Sequence, residues 1–141
     1  MANVIPYSFR GELFTGTHNF ASGGDAFKLA LYTAIPYTTA STVYSATSEV
    51  SASGTAYTTT GNTLTGNAVA YGTAVATCDF ADTEWTSATF TAAFGAIYND
   101  DQSDKLCVVL DFGGNKTCTN GTFKITFPDP STPANAIISM S

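Results

Sequence analysis

Charge is what this chain has least of. Only 11% of its 141 residues are Asp, Glu, Lys or Arg, against about 25% in an average soluble protein. Five basic residues stand against 11 acidic ones, a net charge of −6, and the five (Arg10, Lys28, Lys105, Lys116 and Lys124) are scattered. A surface that grips nucleic acid clusters its cations to neutralise phosphates, so no nucleic-acid partner is expected. The same scarcity excludes a polybasic membrane patch. No apolar run approaches the roughly 20 residues of a membrane-crossing helix. The opening MANVIPYSFRGELF has neither the basic start nor the apolar centre of a secretion signal, so synthesis and retention in a cytoplasm are expected. Cysteine occurs three times, at Cys78, Cys107 and Cys118, an odd number without CxxC spacing. These read as reduced small hydrophobes rather than as a disulfide framework or zinc site.

Histidine occurs once. Any Ser-His-Asp or Cys-His chemistry would have to use His18, with Cys78, Cys107 or Cys118 as the nucleophile. His18 follows an expected helix and reads as a partner for its last carbonyls. GxSxG, HExxH and phosphate-binding glycine loops are missing. Asn99, Asp100, Asp101 and Asp104 form the densest acidic cluster. Calcium needs about six to eight oxygen ligands, and no glutamate follows at EF-hand spacing, so a solvated hairpin tip is the expectation. Glu12, Glu49 and Glu84 are the only glutamates, and nothing in the sequence brings two of them together as glycoside hydrolysis requires. No catalytic, cofactor-binding or metal-binding residue is assigned, and the chain is not expected to be an enzyme.

What is abundant is Thr, Ser, Ala, Gly and the aromatic residues, a composition that favours short strands and frequent turns. The stretch from Ala88 to Phe127 reads as three strands, TFTAAFGAIYND, KLCVVLDFGG and GTFKITFPD, joined by NDDQSDK and GNKTCTNG into an antiparallel meander. Phe123, Ile125 and Phe127 alternate with Thr122, Lys124 and Thr126, as a half-buried strand does. Leu106 to Leu110 is unbroken, as in a strand covered on both sides. Further strands are expected at Ala26–Thr33, in Tyr57–Thr65 as a hairpin or a strand broken at the turn dipeptide Gly61-Asn62, once or twice in Asn67–Phe80 with a break at Gly72, and at Ala136–Met140. Trp85 stands at the corner before the first of the three strands and should plug the core. Pro128, Pro130 and Pro133 suggest a stiff surface loop. One helix is expected within residues 5–17, its body from Tyr7 to Thr17, with Phe9, Leu13 and Phe14 on one face and Arg10 and Glu12 off it. The whole, residues 1–141, reads as one all-β domain: an antiparallel β-sandwich of about seven or eight strands with one short N-terminal helix.

Residues 34–56 are polar and turn-rich, longer than most loops of a compact domain, and read as a binding loop or arm gripping through Tyr37, Val43 and Tyr44. A short helical turn near Ser45–Val50 is the structural alternative. With Phe9, Leu13 and Phe14 these residues make the candidate interface set. Tyr37, Tyr44, Tyr57 and Tyr71 could alternatively serve a carbohydrate-binding sandwich.

Taken in order, FRGELFTGTHNF, DAFKLALYT, SEVSASGTAYTTTGNTLTG, DFADTEWTSATFTAAFGAIYND, KLCVVLDFGGNKT, NGTFKITFPD and AIISMS resemble a group of small virion proteins encoded by tailed bacteriophages. The likeness covers nearly the whole chain and carries no active site. It implies a structural part of the particle. The expectation that follows is a capsid decoration (cement) protein on the outside of the head, bound to the major capsid protein as a small homo-oligomer, dimer or trimer. A tail, neck or fibre-base component is the alternative.

Overall fold

The computed structural model describes residues 3–129, 131–132 and 136–140. A helix, α1 (Tyr7–Phe14), precedes seven strands: β1 (Phe27–Tyr32), β2 (Asn62–Thr63), β3 (Ala68–Gly72), β4 (Val75–Asp79), β5 (Thr83–Asn99), β6 (Lys105–Ile125) and β7 (Ile138–Met140). They form two antiparallel sheets, four-stranded β2-β1-β5-β6 and three-stranded β3-β4-β7, an all-β sandwich-like fold. Pro130 and Pro133 lie outside the described residues; Pro128 is exposed.

The expected three-strand meander is a two-strand hairpin. GTFKI does not turn back but continues β6 against the same partner, β5, with Trp85 opposite Phe123 and Phe90 opposite Cys118. Gly113 and Gly114 do interrupt the ladder: Lys116 pairs with Ala92 and Asp111 with Phe94, so four residues of β6 face one of β5. Both glycines have positive φ, which lets the extra residues loop out while the strand keeps its direction. Trp85 lies inside β5 rather than at a corner before it, and it is buried as expected.

Bulges also decide which way side chains point. Ala88, Phe90 and Ala92 of β5 face the core between the sheets, whereas Phe94, Ala96 and Tyr98 face the opposite side. All six positions are even-numbered, and it is the register shift between Ala92 and Phe94 that moves the series to the other face. A second shift leaves Cys107 without an opposite residue, because Tyr98 pairs with Leu106 and Ile97 with Val108.

The inter-sheet core gathers Phe9, Phe27, Leu29, Leu31, Phe80, Trp85 and Phe123. The other face of the four-stranded sheet is not wet. Ala30, Tyr32, Ala96, Tyr98, Leu106 and Val109 are covered by Tyr37, with Val4, Ile35 and Tyr44 packed alongside. Residues 34–56 supply much of this cover and are no free arm, and they form a turn rather than a helix at Thr47-Ser48. Glu49 pins the segment, accepting hydrogen bonds from Tyr44 Oη (2.6 Å), Tyr57 Oη (2.7 Å) and the Thr60 amide (2.8 Å). Main-chain bonds from Tyr44 to Asp104 and from Leu106 to Thr42 tie it to the start of β6. The Tyr57–Thr65 segment forms no hairpin; only β2 pairs, with β1. The β3–β4 hairpin turns just beyond Gly72, as its sequence suggests.

Trp85 stacks on Tyr57 at 5.8 Å between ring centroids, yet its indole Nε1 is buried with no hydrogen-bond partner. Its contribution is therefore shape and apolar area alone. Trp85→Ala should cost about 3–5 kcal/mol in chemical unfolding, whereas Trp85→Phe should cost less than about 2, since the orphaned N–H leaves with the indole. Equal losses for both variants would show that the indole N–H contributes after all.

Candidate functional site

Helix α1 turns a face inward that its apolar pattern does not suggest. Phe9 is buried and Leu13 half-buried, but Phe14 is 89% exposed, and Glu12 points in with Phe9 and Leu13. A 100° step per residue explains the grouping: Tyr7, Arg10 and Phe14 share the outer side. Arg10 lies over the Tyr7 ring, 5.3 Å from its centroid. Glu12 belongs inside because partners wait there.

Those partners form a buried to half-buried polar cluster. Glu12 Oε1 accepts from Lys105 Nζ at 2.7 Å, and Glu12 Oε2 lies 2.8 Å from His18 Nε2. His18 Nδ1 lies 2.9 Å from Asn99 Nδ2, which also donates to Asp25 Oδ2 at 2.8 Å. The Asn19 amide donates to the same Asp25 oxygen at 2.9 Å. His18 thus bonds side chains, not the final helix carbonyls; its ring sits between Phe9 (5.1 Å) and Phe20 (6.2 Å). The chain of contacts also assigns the protons. Asn99 must turn its NH2 towards the Asp25 carboxylate, since its oxygen there would meet another acceptor. That NH2 can only donate to His18 Nδ1, so the ring proton sits on Nε2 and is donated to Glu12. Asn99 Oδ1 is left buried without a partner.

Cys107, aimed here by its bulge, places Sγ 4.0 Å from His18 Nδ1. Thiol, imidazole and carboxylate therefore stand in the order that nucleophilic catalysis uses. The setting opposes it. Burial, then Glu12, pushes the Cys107 thiol well above its ordinary range, so it stays protonated. Asn99 already occupies the nitrogen that would take the thiol proton. Cys107, Asn99 and the His18 side chain are fully covered. Burial opposes the ionised forms of Glu12 and Asp25, but their partners prevail. Hydrogen bonds from Lys105 and His18 hold Glu12 below its usual range, and those from Asn19 and Asn99 do the same for Asp25.

The acidic hairpin tip is engaged internally. Asp100 pairs with Lys28 at 3.1 Å and Asp101 accepts the Ala26 amide at 2.7 Å. Asp104 is raised by burial and by Asp100 beside it. Asn99 points away from the tip into the cluster with His18. Among the described residues no group of three or more His, Cys, Asp or Glu is arranged to hold a metal ion. No helix of the described residues is long and apolar enough to cross a membrane.

Of the candidate interface set, Phe14 and Val43 are exposed, and Leu13 and Tyr44 are half-buried. Phe9 (1% exposed) and Tyr37 (4%) are buried in the core. Tyr37 and Tyr57 are likewise too buried to act as sugar platforms, and Tyr44 stacks on Tyr98 at 4.8 Å. Exposed apolar residues outside that set lie on the three-stranded sheet. Val69, Tyr71 and Met140 are open to solvent, and β3 (AVAYG) is exposed along its whole length as an uncharged edge strand. The signal was present in that uncharged run, but alternation alone cannot tell an edge from a centre. A cavity of about 560 Å3 runs along the second half of β6, lined by Leu110, Phe112, Phe123, Ile125, Phe127 and Lys116 among others.

Comparison with protein-family models, with curated proteins and with solved structures finds no match to this chain.

Proposed function

We propose that the chain is a structural component of a tailed bacteriophage particle: a capsid decoration (cement) protein that binds the outside of the head and stabilises contacts between major capsid protein subunits. The sequence resemblance motivates this reading. The observation that carries it is the placing of polar chemistry: the sole histidine and its amide and thiol neighbours are buried, while the outside carries few charges and includes an uncharged edge strand and exposed apolar side chains. Such a body offers contact area with little charge to desolvate, which suits repeated packing on a shell. It transforms no substrate in this reading. Its partners are the major capsid protein and further copies of itself.

The test is to incubate the purified protein with undecorated heads of the encoding phage and to follow their heat resistance. Saturable binding and a higher temperature of DNA release are expected. A tagged copy that labels tails or necks instead would reassign the protein within the particle, and binding to neither would end the reading.

A further inference from the structure

The inner row of β6 changes character at one residue. Phe123 and Cys118 pair with Trp85 and Phe90 and pack with them in the inter-sheet core. Lys116 pairs with Ala92, another core residue, and cross-strand partners share a face, so the lysine also starts on the inner side. Its side chain reaches solvent by way of the groove of about 560 Å3, which it helps to line. The groove wall is apolar on both sides of the Gly113-Gly114 bulge: Leu110, Phe112, Ile125 and Ile137 stand in it only half-buried. Charge here is lopsided. Lys28, Lys105 and Lys124 each hold a carboxylate within 3.1 Å, whereas Lys116 is in no ion pair among the described residues. Asp111, at the same groove, accepts the Gly113 amide at 2.8 Å. Asn3 accepts the Asp111 amide through Oδ1 at 2.8 Å, which leaves its NH2 as a donor on the groove.

We propose that this groove binds an amphiphilic monoanion: a single alkyl chain lies against Leu110, Phe112, Ile125 and Ile137, and its carboxylate pairs with Lys116 and accepts from Asn3. The size suits it, since small-molecule pockets run from about 300 to 1,000 Å3 and are mostly apolar with a few placed polar groups. Charge complementarity selects the occupant. A chain with a cationic head would meet the ammonium with repulsion, and a neutral one would leave it without a counter-ion beside apolar surface. At a net charge of −6 most of this surface repels anions, so an uncommitted cation beside an apolar slot marks one place that attracts them. Ligand binding here and binding to heads are separate properties, and either can fail alone.

Calorimetric titration of the full chain with decanoate, below its micelle concentration, should give saturable binding of one molecule per chain. Decanol, the same tail without the charge, should bind at least about tenfold more weakly, the loss expected when a charge-assisted hydrogen bond is missing. Lys116→Gln keeps most of the stem at an exposed position, so circular dichroism should be unchanged. It should weaken decanoate to the level of decanol and leave decanol where it was. Ala136→Trp, which puts an indole into the groove, should abolish binding of both. No saturable binding of decanoate, equal binding of decanol, or decanoate affinity unmoved by either substitution would each overturn the proposal. Lys116 would then be an inward-pointing charge that guards the edge of the sheet.

Discussion

A melting midpoint lowered by more than about 10 °C is the expected result of Gly61→Ala. Gly61 has φ +80°, and a Cβ built there would stand 1.9 Å from the Leu29 carbonyl oxygen, 2.5 Å from its carbon and 2.7 Å from Ala30 Cα. These are backbone atoms of β1, fully buried in the middle of the four-stranded sheet, and no rotamer change can clear them. Relief requires lifting β2 and the preceding loop away. That would strain the hydrogen bond from Tyr98 Oη to the Thr60 carbonyl (2.7 Å) and the one from the Leu31 amide to Tyr57 Oη (3.0 Å). A left-handed alanine costs about 1–2 kcal/mol by itself; the displaced backbone brings the total to about 3–5 kcal/mol, at about 3–5 °C per kcal/mol for a chain of this size. Gly54 supplies the control, with φ +71° and nothing within 4 Å of an added Cβ. Gly54→Ala should show the conformational cost alone. Midpoints within about 3 °C of each other for the two variants would contradict the packing argument.

The second large effect belongs to the buried polar cluster. His18→Ala should lose about 3–5 kcal/mol at neutral pH, because it leaves the Glu12 carboxylate and the Asn99 amide short of a partner and opens a void between Phe9 and Phe20. Acid should reveal the same coupling. Glu12 is lowered from its ordinary 4.5 and Asp25 from 3.8 in the folded chain. The unfolded chain therefore takes up these protons first, and stability rises with pH across that window. The stabilisation is fully present above about pH 4.5 and drains away as pH falls through the folded values. Glu12→Gln should start less stable at pH 7 and lose less between pH 5 and about pH 2.5, so the two urea-unfolding curves converge in acid. Parallel curves over that range would show that Glu12 gains nothing from Lys105 and His18.

Several elements were legible because local pattern and final environment agree. FKLALY, with alternating bulk, became β1; the apolar run Leu106–Val109 became a strand covered on both faces; Gly72 ended β3. The misreadings share one cause. Gly113 and Gly114 look like a reversal, yet a bulge uses the same positive φ without turning the chain, and only the partner strand decides between them. Phe14 looks like part of an inward stripe, but Glu12 displaced it because Lys105 and His18 lay beneath the helix. Asn99 and Asp25 were invisible as a site, since 74 residues separate them and neither belongs to a motif.

Composition and alternation by themselves determined an all-β chain poor in charge, with a short helix near its start, because both quantities are local and each residue carries its share. What only the tertiary structure decided is where side chains ended up. The turn-rich 34–56 segment folded back over its own sheet because Tyr32, Tyr98 and Leu106 needed cover and Glu49 could hold it there. The lone histidine went inside, and Phe14 was left outside. Burial is a property of what packs against a residue, and that neighbour is distant in the chain.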